Sequence, residues 1–278
     1  MPELAPPLKW AGGKRWLVPR VRVLWQQHAG RRLVEPFCGG LALPLGLLPR
    51  QALLNDISPH LINFYRWLQA GLHSEFGPQD NDETLYYQRR ARFNELIRLK
   101  QHGTMEAALL FYYLNRTGFN GLCRFNSGGF FNVPKGSYRH INYMQTDDFR
   151  VYRAVLADWE FREGDFEGLA LRAGDFVYAD PPYDVPFTQY ARQGFNWQDQ
   201  ERLARWLAQH DGPVLLSNQA TERIKCLYES YGFTVLELKA PRRISSSGDR
   251  TPALEVLAGR NVDMSELEQT DLQQTMLF

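Results

Sequence analysis

Cysteine is scarce and unpaired in this sequence: Cys38, Cys123 and Cys226 lie far apart and never form a Cys-x-x-Cys pair. A disulfide framework or zinc site is therefore not expected, and the three read as small buried hydrophobes, with no metal called for. Long apolar runs are missing as well, and no basic segment leads into an apolar one near Met1. A membrane span and a secretory leader are not expected, so a cytoplasmic location follows by default. Excess charge is also lacking. With 32 Lys and Arg against 31 Asp and Glu, the formal net charge of +1 gives no argument for nucleic acid by itself. Internal repeats and low-complexity tracts are absent. One local absence is informative: between Glu106 and Asp147 there is no acid, while Arg116, Arg124, Lys135 and Arg139 fall there with His140 and many aromatics.

What remains is a globular composition. The 278 residues, 44% hydrophobic and 13% aromatic, suffice for one large domain or two small ones. The most informative stretch is Asp180-Pro181-Pro182-Tyr183, which follows the apolar run Phe176 to Ala179. Such a run reads as a buried strand, and in an open α/β sheet ligands bind at strand carboxyl ends. Two prolines hold the backbone extended and donate no N–H, leaving their carbonyls as acceptors. With the Asp180 carboxylate and the Tyr183 ring, the set suits a planar base carrying an exocyclic amine. A rigid turn with Tyr183 in the core is the plainer alternative.

Other landmarks surround it. Lys9-Trp10-Ala11-Gly12-Gly13-Lys14 pairs glycines between cations ahead of an amphipathic stretch from Arg15 to Gln27. Arg32 to Val34 reads as a strand that ends in Glu35-Pro36-Phe37-Cys38-Gly39-Gly40, with a helix from Leu41 to Leu48. A second strand from Ala52 reaches Asp56, where an acid in such folds bonds a ribose hydroxyl, and Ser58 before Pro59 looks like a helix cap. From Pro59 about eighty residues read as helical. Helices are expected at Glu83 to Gln101, with Arg89, Arg90 and Arg92 on a solvated face, and from Met105 to Leu114 behind a Thr104 cap. Next comes a glycine-rich loop or hairpin, 118–138. After Ala179 strand and helix alternate in the manner of a parallel sheet, with helices from Trp197 and Glu222 and strands from Val214 and Thr234; a loop or hairpin turn from Pro241 then leads to a final strand near Ala253.

Five stretches line up in order with one family: Lys9 to Lys14, Val34 to Gly40, Asn115 to Tyr138, Asp180 to Tyr183, and Arg242 to Gly248. The chain resembles the DNA adenine methyltransferases of the Dam type, the class alpha amino-methyltransferases. The resemblance implies an α/β, Rossmann-like sheet dependent on S-adenosyl-L-methionine, with an inserted, mainly helical DNA-recognition domain. Residues 1–58 and 151–262 would form the catalytic domain, 59–150 the insert with its 118–138 hairpin loop, and 263–278 an acidic tail. It implies methylation of adenine N6 in double-stranded DNA by base flipping, with GATC as target. Asp180, Pro181, Pro182 and Tyr183 would hold the base. Trp10, Ala11, Gly12, Lys14, Glu35, Pro36, Phe37, Gly39, Asp56 and Asp180 would bind the cofactor. Lys9, Arg116, Phe119, Asn120, Leu122, Arg124, Pro134, Tyr138, Arg243 and Ser246 would contact DNA. Phe119 departs from a frequent tyrosine and loses its hydroxyl, and Ser127 to Phe130 departs from charged residues often found there.

Two rivals stay open: methylation of cytosine N4, which a similar pocket serves, and a non-catalytic DNA-binding protein of the same fold. The tail ends Gln274-Thr275-Met276-Leu277-Phe278 and resembles peptides that dock bacterial sliding clamps, through Gln274, Leu277 and Phe278. Otherwise a monomer without membrane attachment is expected.

Overall fold

The computed structural model describes residues 4–184, 194–241, 253–265 and 267. The strands are β1 (Leu33–Glu35), β2 (Ala52–Asp56), β3 (Trp159–Glu163), β4 (Phe176–Ala179), β5 (Val214–Gln219), β6 (Thr234–Ala240) and β7 (Ala253–Arg260). The helices are α1 (Val18–Gln26), α2 (Ala42–Leu47), α3 (Pro59–Ala70), α4 (Glu83–Arg98), α5 (Met105–Thr117), α6 (Thr146–Leu156), α7 (Trp197–Ala208) and α8 (Glu222–Ser230). The sheet runs β3-β2-β1-β4-β5-β7-β6. β1 is parallel to β2 and β4, and β4 to β5. β7 lies antiparallel between β5 and β6, a direction that the sequence reading left open. β6 and β7 follow one another in the chain and pair directly, the arrangement in which antiparallel strands are joined.

β3 and α6 were not legible in the sequence. In β3 the buried Trp159 and Phe161 alternate with Glu160, Arg162 and Glu163, so charge interrupts the apolar signal. β1 and β4, by contrast, are buried at every position, as parallel strands covered on both faces are.

The chain divides into two compact units, the first made of Met1–Gly13, Gly39–Leu48 and Asp56–Gly164, the second of Lys14–Cys38, Pro49–Asn55 and Asp165–Phe278. In the first unit α3, α4 and α5 start on side-chain caps: Ser58, Asp82 and Thr104 accept the backbone N–H of Leu61, Leu85 and Ala107. Their buried faces are aromatic, with Phe64 stacked on Tyr112 and Tyr65 on Phe161. Of the three arginines expected on a solvated face, two are structural ties. Arg89 pairs with the buried Asp80 at 2.6 Å and lies over the Tyr113 ring, while Arg90 donates to the Val133 carbonyl. Asp80 and Val133 lie outside the helix, so helical periodicity could not reveal them.

The core of the second unit joins Val34, Leu53, Val177 and Leu216 of the strands to Leu203, Leu207, Ile224 and Tyr228 of α7 and α8. At its lower edge Arg32 meets the buried Asp175 through two hydrogen bonds, at 2.7 and 3.0 Å. The cysteines divide: Cys38 is buried, Cys123 is half-buried and Cys226 is exposed, which corrects the expectation that all three are core.

Candidate active site

In the second unit the strand order reverses between β1 and β4, the place where open α/β sheets bind ligands. Glu35 ends β1, Asp180 follows β4, and Ser217 and Asn218 lie near the end of β5. Ser217 Oγ donates to Asp180 Oδ1 at 2.7 Å, and Lys14 Nζ stands 3.3 Å from Asp180 Oδ2. The same ammonium is 4.6 Å from the centre of the Tyr183 ring and 3.7 Å from Glu255 Oε2. Glu35 Oε1 and the Tyr183 hydroxyl are buried without a hydrogen-bond partner among the described residues. Burial, with Glu255 as a like charge, raises the Asp180 carboxyl to about 6, although Lys14 and Ser217 pull the other way. Glu35 is pushed well above the carboxylate range, by burial first and by Asp180 second.

The Asp-Pro-Pro-Tyr turn is held from beneath. Gln200 of α7 donates through Nε2 to the Pro182 carbonyl at 2.9 Å, so only the Pro181 carbonyl lacks a donor among the described residues. This narrows the expectation that both proline carbonyls stay open. Gln200 Oε1 accepts from Asn218 Nδ2 at 3.0 Å, and Asn218 also donates to the Tyr228 hydroxyl at 2.8 Å. Asp184, just past the turn, pairs with Arg223 of α8. Ser217, Gln200, Asn218 and Glu255 are additions that sequence reasoning missed. None belongs to a local motif, and only their place in the sheet and on α7 brings them to Asp180. Also in this unit, Asn55 Nδ2 donates to the Pro36 carbonyl at 3.0 Å, and Phe37 sits edge-on to Phe195 with ring centres 5.4 Å apart.

The first unit contains the other expected cofactor residues. Trp10 lies directly over the glycine turn: a Cβ on Gly39 would come within 2.7 Å of Trp10 Nε1, and one on Gly40 within 2.7 Å of Trp10 Cβ. Only glycine permits that approach. The next residue, the buried Leu41, adopts φ 59°, a left-handed conformation costing about 1–2 kcal/mol. Asp56 accepts the N–H of Gly39 at 3.2 Å and of Ser58 at 2.9 Å, so its carboxylate ties the glycine turn to the start of α3. Ala11 and Gly12 are exposed in a turn.

The loop of 118–138 is closed by antiparallel bridges between Gly118 and Lys135 and between Phe125 and Phe131. Asn120 and Gly121 both have positive φ, 52° and 65°, which Asn and Gly tolerate best. That kink leaves Phe119 49% exposed near the base of the loop, with the exposed Asn120 beside it. A Cβ on Gly121 would meet Lys9 Cβ at 2.3 Å. Lys9 is clasped through its backbone by Asn115, whose Oδ1 and Nδ2 bond it at 2.8 and 2.7 Å. Lys9 Nζ donates to the Arg116 carbonyl at 2.8 Å and lies 3.8 Å from the centre of the Tyr138 ring. Burial, reinforced by the Arg116 charge, lowers its ammonium to about 8. Arg124 is oriented by Nε donation to Asn132 Oδ1 at 2.8 Å. Leu122 is half-buried and Pro134 is exposed. Thus Lys9, Arg116, Phe119, Asn120, Leu122, Arg124, Pro134 and Tyr138 all belong to one unit. Phe131, however, is core. Arg243, Ser246, Gln274, Leu277 and Phe278 lie outside the described residues.

These groups fit S-adenosylmethionine. The ligand is cationic at sulfur and at its amino group, and the second unit presents Glu35, Asp180 and Glu255, with Lys14 between the last two and a buried Glu35 oxygen unpartnered among the described residues. No group of three or more His, Cys, Asp or Glu side chains that could hold a metal occurs among the described residues.

Comparison with known proteins follows the same lines. The chain is 36% identical over 265 residues to the Retron Ec67 DNA adenine methylase of Escherichia coli, covering 90% of each chain. It is 36% identical over 273 residues to the DNA adenine methylase of Vibrio cholerae serotype O1, covering 91% of each. A Type II methyltransferase of Lactococcus lactis subsp. cremoris is 32% identical over 268 residues, covering 88% of this chain and 92% of the relative. The model of the D12 class N6 adenine-specific DNA methyltransferases matches residues 10–244. The chain belongs to that family and is an S-adenosylmethionine-dependent DNA adenine methyltransferase.

Proposed function

We propose that this enzyme methylates adenine N6 within duplex GATC, after the target base has left the helical stack. The observation that carries the reading is Asp180 at the carboxyl end of β4, with one oxygen fixed by Ser217 and the other facing Lys14. Asp180 and the Pro181 carbonyl take the two hydrogens of the target amine, and Tyr183 offers its ring to the base. S-adenosylmethionine, when bound, supplies the electrophilic sulfonium methyl. An exocyclic amine is a poor nucleophile because its lone pair is delocalised into the ring. Two acceptors favour a pyramidal nitrogen and stabilise the positive charge that grows on it, a preorganised electrostatic effect. Extrusion of the base costs a few kcal/mol. The exposed Phe119 is suited to fill the vacated space and offset part of that cost.

Residues 59–150 serve as the target-recognition insert, with Arg124 and Lys9 as the guanine-directed cations of the 118–138 loop and Arg243 and Ser246 as phosphate contacts. Trp10, Gly39 and Asp56 hold the cofactor's nucleoside. The same reading places the protein in the cytoplasm, and no described helix is long and apolar enough to cross a membrane. Incubation with tritiated S-adenosylmethionine and two duplexes differing only in GATC versus GTTC tests it. Label in the first alone is expected, and label in both or in neither overturns the assigned target. The tail residues Gln274, Leu277 and Phe278 dock a sliding clamp; deletion of the last five residues is expected to abolish clamp pull-down, and undiminished capture rejects the docking.

A further inference from the structure

Glu255 is a largely buried carboxylate, 12% exposed, that the mechanism above leaves unused. Because β7 is antiparallel to β5, its first residues rather than its last reach the carboxyl edge of the parallel strands, with Glu255 opposite Gln219 at the end of β5. Glu255 Oε2 accepts no hydrogen bond from a described residue, yet Lys14 Nζ stands 3.7 Å away. The Tyr183 hydroxyl also faces this carboxylate, and an acid so placed is costly unless it acts on the polar groups before it, of which Lys14 carries the charge. On the other side of that cation is Asp180 Oδ2, at 3.3 Å, while Asp180 Oδ1 is already taken by Ser217. Lys14 therefore decides how much of Oδ2 remains available to a substrate amine.

We infer that Glu255 is a positioning residue for methyl transfer: by sharing Lys14 it keeps the ammonium from closing fully on Asp180 and leaves Oδ2 able to accept a hydrogen from the target base. The inference rests on Asp180 being the acceptor. Among the described residues the groups facing Asp180 are Lys14 ahead of α1, Glu35 of β1, Tyr178 of β4, Tyr183, Ser217 and Tyr228, with Glu255. Glu255→Gln removes one anion from this set and lets Lys14 settle on Asp180. Both changes make the Asp180 carboxyl easier to ionise.

The test uses the full chain with carbon-13 at aspartate carboxyls, titrated without cofactor or DNA, the Asp180 signal being identified by its loss in Asp180→Asn. The wild-type midpoint is expected near 6. In Glu255→Gln it is expected to fall by about one pH unit. Single-turnover labelling of a GATC duplex is expected to slow about tenfold with duplex affinity held within about twofold, and Glu255→Asp is expected to restore part of the rate. A midpoint in Glu255→Gln that is unmoved or raised overturns the inference, and so does slowing that tracks a lowered Tm in both variants. Failure of the wild type itself to label the duplex refutes the proposed target instead, while the titration still reports whether Glu255 acts on Asp180.

Discussion

Asp180 is the residue on which the chemistry depends, and its environment sets a pH limit. A carboxyl raised to about 6 accepts hydrogen bonds at neutral pH and loses that capacity once protonated. The single-turnover rate on bound duplex is therefore expected to be flat above pH 7 and to fall about tenfold for each pH unit below the midpoint. A rate that stays level down to pH 5 contradicts the role given to Asp180. Asp180→Ala is expected to lose at least about a thousandfold in rate while duplex binding persists, as removal of a preorganised stabilising group does. This residue, its prolines and Tyr183 were legible because a rigid acidic-aromatic turn after an apolar run is a local pattern. Ser217 and Glu255 were not, since nothing in their own neighbourhoods marks them.

At the scale of elements, α7 does more than cover the sheet. Its Gln200 holds the Pro182 carbonyl and is held by Asn218, so helix, turn and strand share one buried hydrogen-bond chain. Gln200→Leu leaves that carbonyl without its donor and takes one of the two acceptors from Asn218 Nδ2, at about 1–3 kcal/mol. The expected readout is a kcat about tenfold lower with the affinity for cofactor nearly unchanged, because the Pro181 carbonyl loses its aim. Equal losses in kcat and cofactor affinity would place Gln200 in binding instead. The elements themselves were legible wherever period and cap agreed, as in α3 behind Ser58 or β4 behind its turn. β3 escaped because charges occupy its exposed positions, and the direction of β7 escaped because strand polarity is decided by pairing, not by composition.

For the whole molecule, charge is balanced in total and segregated along the chain. The acid-free stretch between Glu106 and Asp147 contributes Arg116, Arg124, Lys135 and Arg139. Duplex affinity is expected to fall linearly in log–log form with salt, and Lys135→Ala with Arg139→Ala to reduce the slope by about 0.9 for each phosphate contact removed. Above pH about 8, where Lys9 gives up its proton, affinity is expected to weaken further. An unchanged slope would move the DNA contacts elsewhere.

β7 is the last of the described strands in sequence and yet lies between β5 and β6. Synthesis therefore leaves a slot in the sheet until the stretch from Ala253 to Arg260 has been made. A ribosome stalled before Ala253 holds a chain whose β5 edge is open, whose β6 lacks its β7 neighbour, and whose Lys14 lacks the Glu255 carboxylate. An open strand edge invites pairing with other chains. Chains ended before Ala253 are thus expected to aggregate rather than to keep partial activity.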